Sequence, residues 1–298
     1  MSYPEWVDSF PEYSQHPFPA SRPSWRARLL GRLTPRRRPT LNIVLFAATV
    51  LSTLLVGGAV YCLSIMSILL AHEMGHYLMC RRHRVNATLP YFIPFPFPML
   101  NPFGTLGAVI RMDARMPDRR ALLDVAVAGP LAGLAIALPV MFFGLQNSQL
   151  VPKGEVGPSV LYLGESLLFK LVARLAVPGL SPDMDIMLGP MAFAGWAGLF
   201  VTSLNLLPIG QLDGGHVLYA LFGQRAQRAY IFLLIAFGIV TVKWYPGWAL
   251  LLVLLIVFGF RHPVPLDPFL PLDARRRAVG YAMLVIFMVS FTPVPFRI

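Results

Sequence analysis

His72, Glu73 and His76 stand together in the stretch SILLAHEMGHYLMCRR, residues 67–82. On a helix of 3.6 residues per turn, positions four apart share a face, so the two imidazoles can direct neutral nitrogens at one metal ion. Glu73 lies about 100° further round, placed to take a proton from water at that metal rather than to bind it. Such a set supports hydrolysis: a divalent ion acidifies water and a carboxylate receives the proton. The ion would also account for the carboxylate itself. From Leu41 to Cys80 Glu73 is the sole acidic residue in an otherwise apolar run, and an unpaired charge in hydrocarbon is costly.

A hydrolytic zinc site needs a third protein ligand and an open position. Between Leu188 and Ala220 the one acid is Asp213, in LNLLPIGQLDGGHVLYA. Pro208, Gly210, Gly214 and Gly215 interrupt the helical pattern around it, as irregular backbone does where it lines a cavity at membrane depth. Two readings stand here: Asp213 ligates the metal, or it caps a helix beginning near His216. His216 is assigned a supporting or capping role, while His83 and His262 adjoin arginines as ordinary interfacial residues.

The elements that must hold these residues are membrane helices. Apolar residues make up 56% of the 298 and charged ones only 13%, and the mean hydropathy is +0.63, beyond the usual range of water-soluble domains. The net charge of +11 does not point to nucleic acid. It collects in RPSWRARLLGRLTPRRR before the first apolar run, the pattern that retains an N-terminus in the cytoplasm, and no nucleic-acid-binding motif accompanies it. Residues 1–40 are expected to be a mostly disordered, basic, proline-rich tail, and residues 41–298 one membrane domain. Cys62 and Cys80 read as small core hydrophobes rather than a disulfide pair.

Apolar runs predict spans at Leu41–Val56 and Ala59–Cys80 around Gly57 and Gly58, then near 122–145 and 188–207. Two more flank the break KWYPG, and a last piece covers Ala278–Phe291. The fold class expected is mainly α, polytopic, with six or seven transmembrane helices. Residues 160–178 read as a surface helix. Between the motif helix and the third span, YFIPFPFPMLNPFGTLGAVIRM reads as a re-entrant β-hairpin or loop: its prolines exclude a central strand, while TLGAVIR can form one. Such a strand could accept a substrate segment by edge addition; the alternative is a proline-rich apolar loop that only packs on the bundle. AGPLAG, residues 128–133, is a helix-packing motif of small residues. Of Asp118 and Asp124, one is expected to cap the third span.

HEMGH, followed 141 positions later (213 − 72) by NLLPIGQLDGGH, resembles the site-2 protease family of intramembrane zinc metalloproteases. AGPLAG is similar to that family's third core helix, and GTLGAVIRM resembles its bacterial and plastid branch. The resemblance implies a three-helix core, one Zn2+ held by His72, His76 and Asp213, and Glu73 as catalytic base. It also implies a role for Asn205 in orienting substrate or stabilising the oxyanion. Its substrates would be transmembrane proteins or peptides, cleaved within or near their spans in regulated intramembrane proteolysis. Where many relatives carry prolines before the aspartate, this sequence has IGQLDGG. Nothing in it resembles the PDZ or nucleotide-sensing modules that many relatives add.

Three rivals remain to be weighed. A di-iron oxidase needs many histidines, and there are six. The other membrane HExxH group, which matures prenylated proteins, would supply a later glutamate, but beyond residue 140 only Glu155 and Glu165 exist, outside clear spans. A metal transporter using the same His, Glu and Asp residues is the alternative from a non-enzyme class. It would want ionisable groups along a pathway, and here they collect at one place. The short chain leads to an expected location in a bacterial inner membrane, N-terminus in the cytoplasm, with an archaeal or organelle membrane as the alternatives.

Overall fold

Gly58 interrupts what would otherwise be a single helix of 43 residues, α1 (Thr40–Arg82). Its φ of 75° and ψ of −177° are open to glycine because no Cβ meets the backbone. The chain reverses there. Thr53 Oγ1 lies 3.2 Å from Cys62 Sγ, which in turn lies 3.5 Å from the Val50 carbonyl oxygen, although residues 50 and 62 of a continuous helix would stand about 18 Å apart. The two arms of α1 are those expected around Gly57 and Gly58.

The computed structural model describes residues 39–113, 116–153, 161–258 and 265–297. Nearly all of the residue 1–40 tail, most of VPKGEVGP with Glu155, and His262 lie outside the described residues. After α1 the order is β1 (Tyr91–Pro94), β2 (Thr105–Val109), α2 (Arg119–Gln146), β3 (Gln149–Pro152), β4 (Tyr162–Leu163), α3 (Leu167–Ala176) and β5 (Met184–Met187). Then come α4 (Pro190–Asn205), α5 (Asp213–Phe222), α6 (Arg225–Lys243), α7 (Ala249–Phe258), α8 (Ala274–Ser290) and β6 (Phe296–Arg297).

The architecture is mainly helical. Among the described residues, three helices, α1, α2 and α6, are long and apolar enough to cross a membrane, fewer than the six or seven expected. Local chemistry sets where the others begin. α4 starts at Pro190 and has 16 residues. A 3-10 turn at Pro246–Trp248 separates α6 from α7, whose ten described residues run up to Phe258, where the described stretch ends. α8 has 17 residues and opens on Arg275, Arg276 and Arg277.

α2 is the central helix, packed on α1, α4 and α5. Asp118 caps it, accepting from the Ala121 N–H at 2.8 Å. Small residues bring its neighbours close: a Cβ on Gly195 of α4 would overlap Met141, and one on Gly144 would overlap Ala192. Since α2 runs from the Arg81–Arg82 end of α1 to the start of α4, the bundle has a basic rim at one end and the short strands at the other. On α4, Phe193, Trp196 and Phe200 stack in succession.

β1 and β2 pair antiparallel, Tyr91 opposite Val109 and Phe92 opposite Ala108, with a register shift before Pro94. α1 holds this pair by its backbone. Ser52 Oγ donates to the Gly104 carbonyl at 2.6 Å and the Tyr61 hydroxyl to that of Phe103 at 2.9 Å. Asn42 Nδ2 donates to the Leu89 and Pro90 carbonyls at 2.9 Å. The Phe103 ring rests on Phe193, Trp196 and Phe200. Two further two-stranded sheets, β3 with β5 and β4 with β6, close the end away from the rim.

Candidate metal centre

His72 and His76 project from one face of the second arm of α1, and both are about 4% exposed. The Nε2 atoms lie 3.2 Å apart. The His76 Nδ1–H reaches the Val125 carbonyl of α2 at 2.9 Å, and a ring that donates through Nδ1 leaves Nε2 with its lone pair free for a metal. The glycines of AGPLAG explain how α2 comes so near. A Cβ on Gly129 would overlap the His76 ring, and one on Gly133 would stand 3.1 Å from His72 Nδ1. Val125, Gly129 and Gly133 therefore form an i, i+4, i+8 stripe against the i, i+4 histidines. In the sequence this stripe read only as helix packing. The signal that could have found it is the matching four-residue spacing on the two helices.

Asp213 arrives from the other side. The turn from Leu206 to Leu212 is held by short-range backbone bonds, Ile209 N–H to the Leu207 carbonyl among them, and Gly214 packs against the Leu206 carbonyl where a Cβ would overlap it. α5 begins at Asp213 itself, with Leu212 in the capping position and no side-chain cap. The reading of Asp213 as cap to a helix near His216 therefore does not describe this turn. Its carboxylate faces the imidazoles instead, with Oδ2 3.5 Å from His72 Nε2 and 3.2 Å from His76 Nε2. His216, one turn on, lies within electrostatic reach of Asp213 but is not among the three converging donors.

The donor set fits zinc. Ligands about 2.0–2.1 Å from a tetrahedral centre stand about 3.3–3.4 Å from each other, and here the three separations are 3.2, 3.2 and 3.5 Å. Two imidazoles and one carboxylate form a usual hydrolytic set, and three ligands leave the fourth position open. Among the described residues this is the one cluster of its kind.

Glu73 is 5% exposed, and the backbone of Ile110, just past β2, lies near its carboxylate. The end of the strand pair thus lies beside the acid next to the donors. Asn205, the last residue of α4, has Nδ2 3.1 Å from His72 Nε2, so its amide lies beside the same point. All five residues singled out in the sequence, His72, Glu73, His76, Asn205 and Asp213, meet at the basic-rim half of the bundle. His83 joins a separate cluster: its Nε2 lies 3.0 Å from Asp124, which Arg276 also grips at 2.7 and 2.8 Å.

Comparison with known proteins agrees with this geometry. The probable zinc metalloprotease EGY1, chloroplastic, of Oryza sativa subsp. japonica is 37% identical over 183 residues, 59% of this chain and 29% of the relative. Its namesake in Arabidopsis thaliana is 34% identical over 59% of this chain and 31% of the relative. The probable zinc metalloprotease EGY2, chloroplastic, of Arabidopsis thaliana is 29% identical across 96% of this chain and 52% of its own length. The chain thus spans about half, or less, of the relatives it matches. These relatives are plant proteins named as chloroplastic, which overturns the expected bacterial inner membrane. A model of peptidase family M50 matches residues 60–241, which include both histidines, Glu73 and Asp213. The chain belongs to peptidase family M50, as the pairing of HEMGH with a distant LDGG implied.

Proposed function

We propose that this chain is an intramembrane zinc metalloprotease that hydrolyses peptide bonds within or near the transmembrane segments of membrane proteins. The observation that carries the reading is the convergence of three donor atoms at tetrahedral spacing with a buried carboxylate beside them. His72, His76 and Asp213 would hold one Zn2+. When bound there, zinc supplies Lewis acidity, polarising a peptide carbonyl and making water easier to deprotonate.

The chain's own groups do the rest. Glu73 accepts the proton from the attacking water on its carboxylate and delivers it to the leaving amine. The Val125 carbonyl fixes the His76 tautomer. Asn205, with its amide beside the donors, orients the substrate carbonyl or shares its developing charge. A helical substrate must be extended before attack. β2 serves that step as a re-entrant strand against which an unwound segment lies. Membrane lipid surrounds the bundle, and nucleic acid has no part in the function.

A transporter using the same residues gains no support from the relatives matched. Glu73→Gln separates the two classes. In cells carrying the variant, membrane proteins normally cleaved should accumulate, while purified protein keeps one equivalent of zinc. If no membrane protein accumulates and metal uptake changes instead, the protease reading fails.

A further inference from the structure

Arg119 and Arg120 are the first two residues of α2. A helix N-terminus carries partial positive charge, so cations sit there at a cost unless their side chains serve another element. The two side chains leave in different directions. Arg120 Nε donates to the Pro271 carbonyl at 2.9 Å, in the segment that leads into α8. Arg119 crosses to α5, 101 residues away in the chain. Its Nε and Nη2 donate to the Ala220 carbonyl at 3.0 and 2.5 Å, and Nη2 also donates to the Leu221 carbonyl at 3.0 Å. These carbonyls belong to the last turn of α5, where no intrahelical N–H is available to them and where the helix dipole favours a cation. The neighbouring Tyr219 carbonyl accepts from the Gly223 N–H at 2.7 Å. A rigid guanidinium fork across two carbonyls fixes the position of a helix end as well as satisfying it.

We propose that Arg119 is a positioning residue for the metal centre: by gripping the far end of α5 from the start of α2, it sets how far Asp213 reaches toward His72 and His76. The proposal rests on Asp213 being a metal ligand, as read above. α5 begins at Asp213 and has no side-chain cap at that end. Ala220 stands seven residues along it (220 − 213), about 10 Å, so a shift of the gripped end passes along the helix to the carboxylate. α2 holds the other half of the centre as well. The Val125 carbonyl, about 9 Å along α2 from Arg119, accepts the His76 Nδ1–H. One helix thus fixes an imidazole through its backbone and the aspartate through a side chain. Metal–ligand distances tolerate only about 0.2 Å, so a small axial shift of α5 is enough to weaken the site.

The test uses the full chain in detergent. Zn2+ affinity is measured by competition with a chelator, and ligand geometry is read from the visible absorption of Co2+ bound in its place. Arg119→Gln should weaken zinc binding about tenfold or more, the range for a lost partner that orients metal ligands, and should shift the Co2+ bands. Arg120→Gln removes the same charge one residue away, from a side chain that grips the segment before α8 instead. It should change the affinity by less than about threefold and keep the wild-type Co2+ spectrum. Arg119→Lys keeps a cation but loses the planar fork, and should weaken binding by about threefold or more while losing less than Arg119→Gln. If Arg119→Gln does not fold, the lysine variant decides. Binding within about threefold of wild type in the deciding variant overturns the proposal, as does an unshifted Co2+ spectrum or an equal loss in Arg120→Gln. The ligand assignment fails separately, if Asp213→Ala binds zinc as tightly as wild-type protein.

Discussion

Two clusters within a few turns of each other combine histidine with aspartate, and they do opposite things. At the rim, Asp124 receives His83 at 3.0 Å and two guanidinium nitrogens of Arg276 at 2.7 and 2.8 Å, and Arg276 also meets Asp273. Positive charge from the protein itself satisfies the carboxylate, so the cluster acts as a strap joining α1, α2 and α8. Deeper in, Asp213 meets two imidazole nitrogens, and no arginine or lysine joins it among the described partners. Its lone pairs and theirs converge on one point, which suits a divalent cation. Residue type alone does not separate a strap from a metal centre. The presence or absence of a guanidinium does.

Substitutions should widen that contrast. Asp213→Ala is expected to cost most, with zinc falling below about a tenth of an equivalent and proteolysis dropping by roughly 10³-fold or more. Metal analysis and a cleavage assay on the same preparation check this, and Asp124→Ala should keep its full equivalent of zinc. Glu73→Gln should lose about 10²- to 10⁴-fold in turnover, the range of general acid–base catalysis, with zinc retained. Loss of the metal as well would make Glu73 a structural part of the site.

Gly129→Ala places a methyl group on the His76 ring. Zinc affinity is expected to fall about 10- to 100-fold, as for changes that disturb ligand orientation, and competition with a chelator would measure it. Asp124→Asn should leave zinc binding alone and lower unfolding stability by about 1–2 kcal/mol, reduced because the Arg276 side chain is a third exposed. Thermal unfolding in detergent reads that change. The smallest effect concerns Asp273. The Arg276 N–H, then its guanidinium, push its carboxyl down to about 2. A lowered pKa means stability is present above about pH 4 and lost as pH falls through about 2. Asp273→Asn should flatten the acid end of the stability profile and nothing else.

The sequence carried the centre better than it carried the bundle. His72, Glu73, His76 and Asp213 were legible because a charged or metal-binding side chain in an apolar run is too costly to persist without a compensating partner or ion. The reversal at Gly57–Gly58 was legible for a related reason, since two glycines in such a run seldom continue a helix. Span number was not. Apolar composition does not mark where a helix begins, and Pro190, the turn at Pro246 and the arginines that open α8 set those starts, so among the described residues only three helices are long and apolar enough to cross a membrane. Val125 contributes a backbone carbonyl, which no side-chain pattern announces, and Gly129 and Gly133 matter through the atoms they lack. Localisation was misread because chain length and hydropathy describe a lipid solvent, not an organelle.

The glycine stripe on α2 also acts as a ruler. Moving α2 along α1 by one turn, about 5.4 Å, would carry Val125 or Ala137 to the place where hydrogen atoms now meet imidazole. Axial slip in either direction drives a methyl group into a ring. Under the proposed function, a motion that admits a substrate would therefore not use axial slip between these two helices.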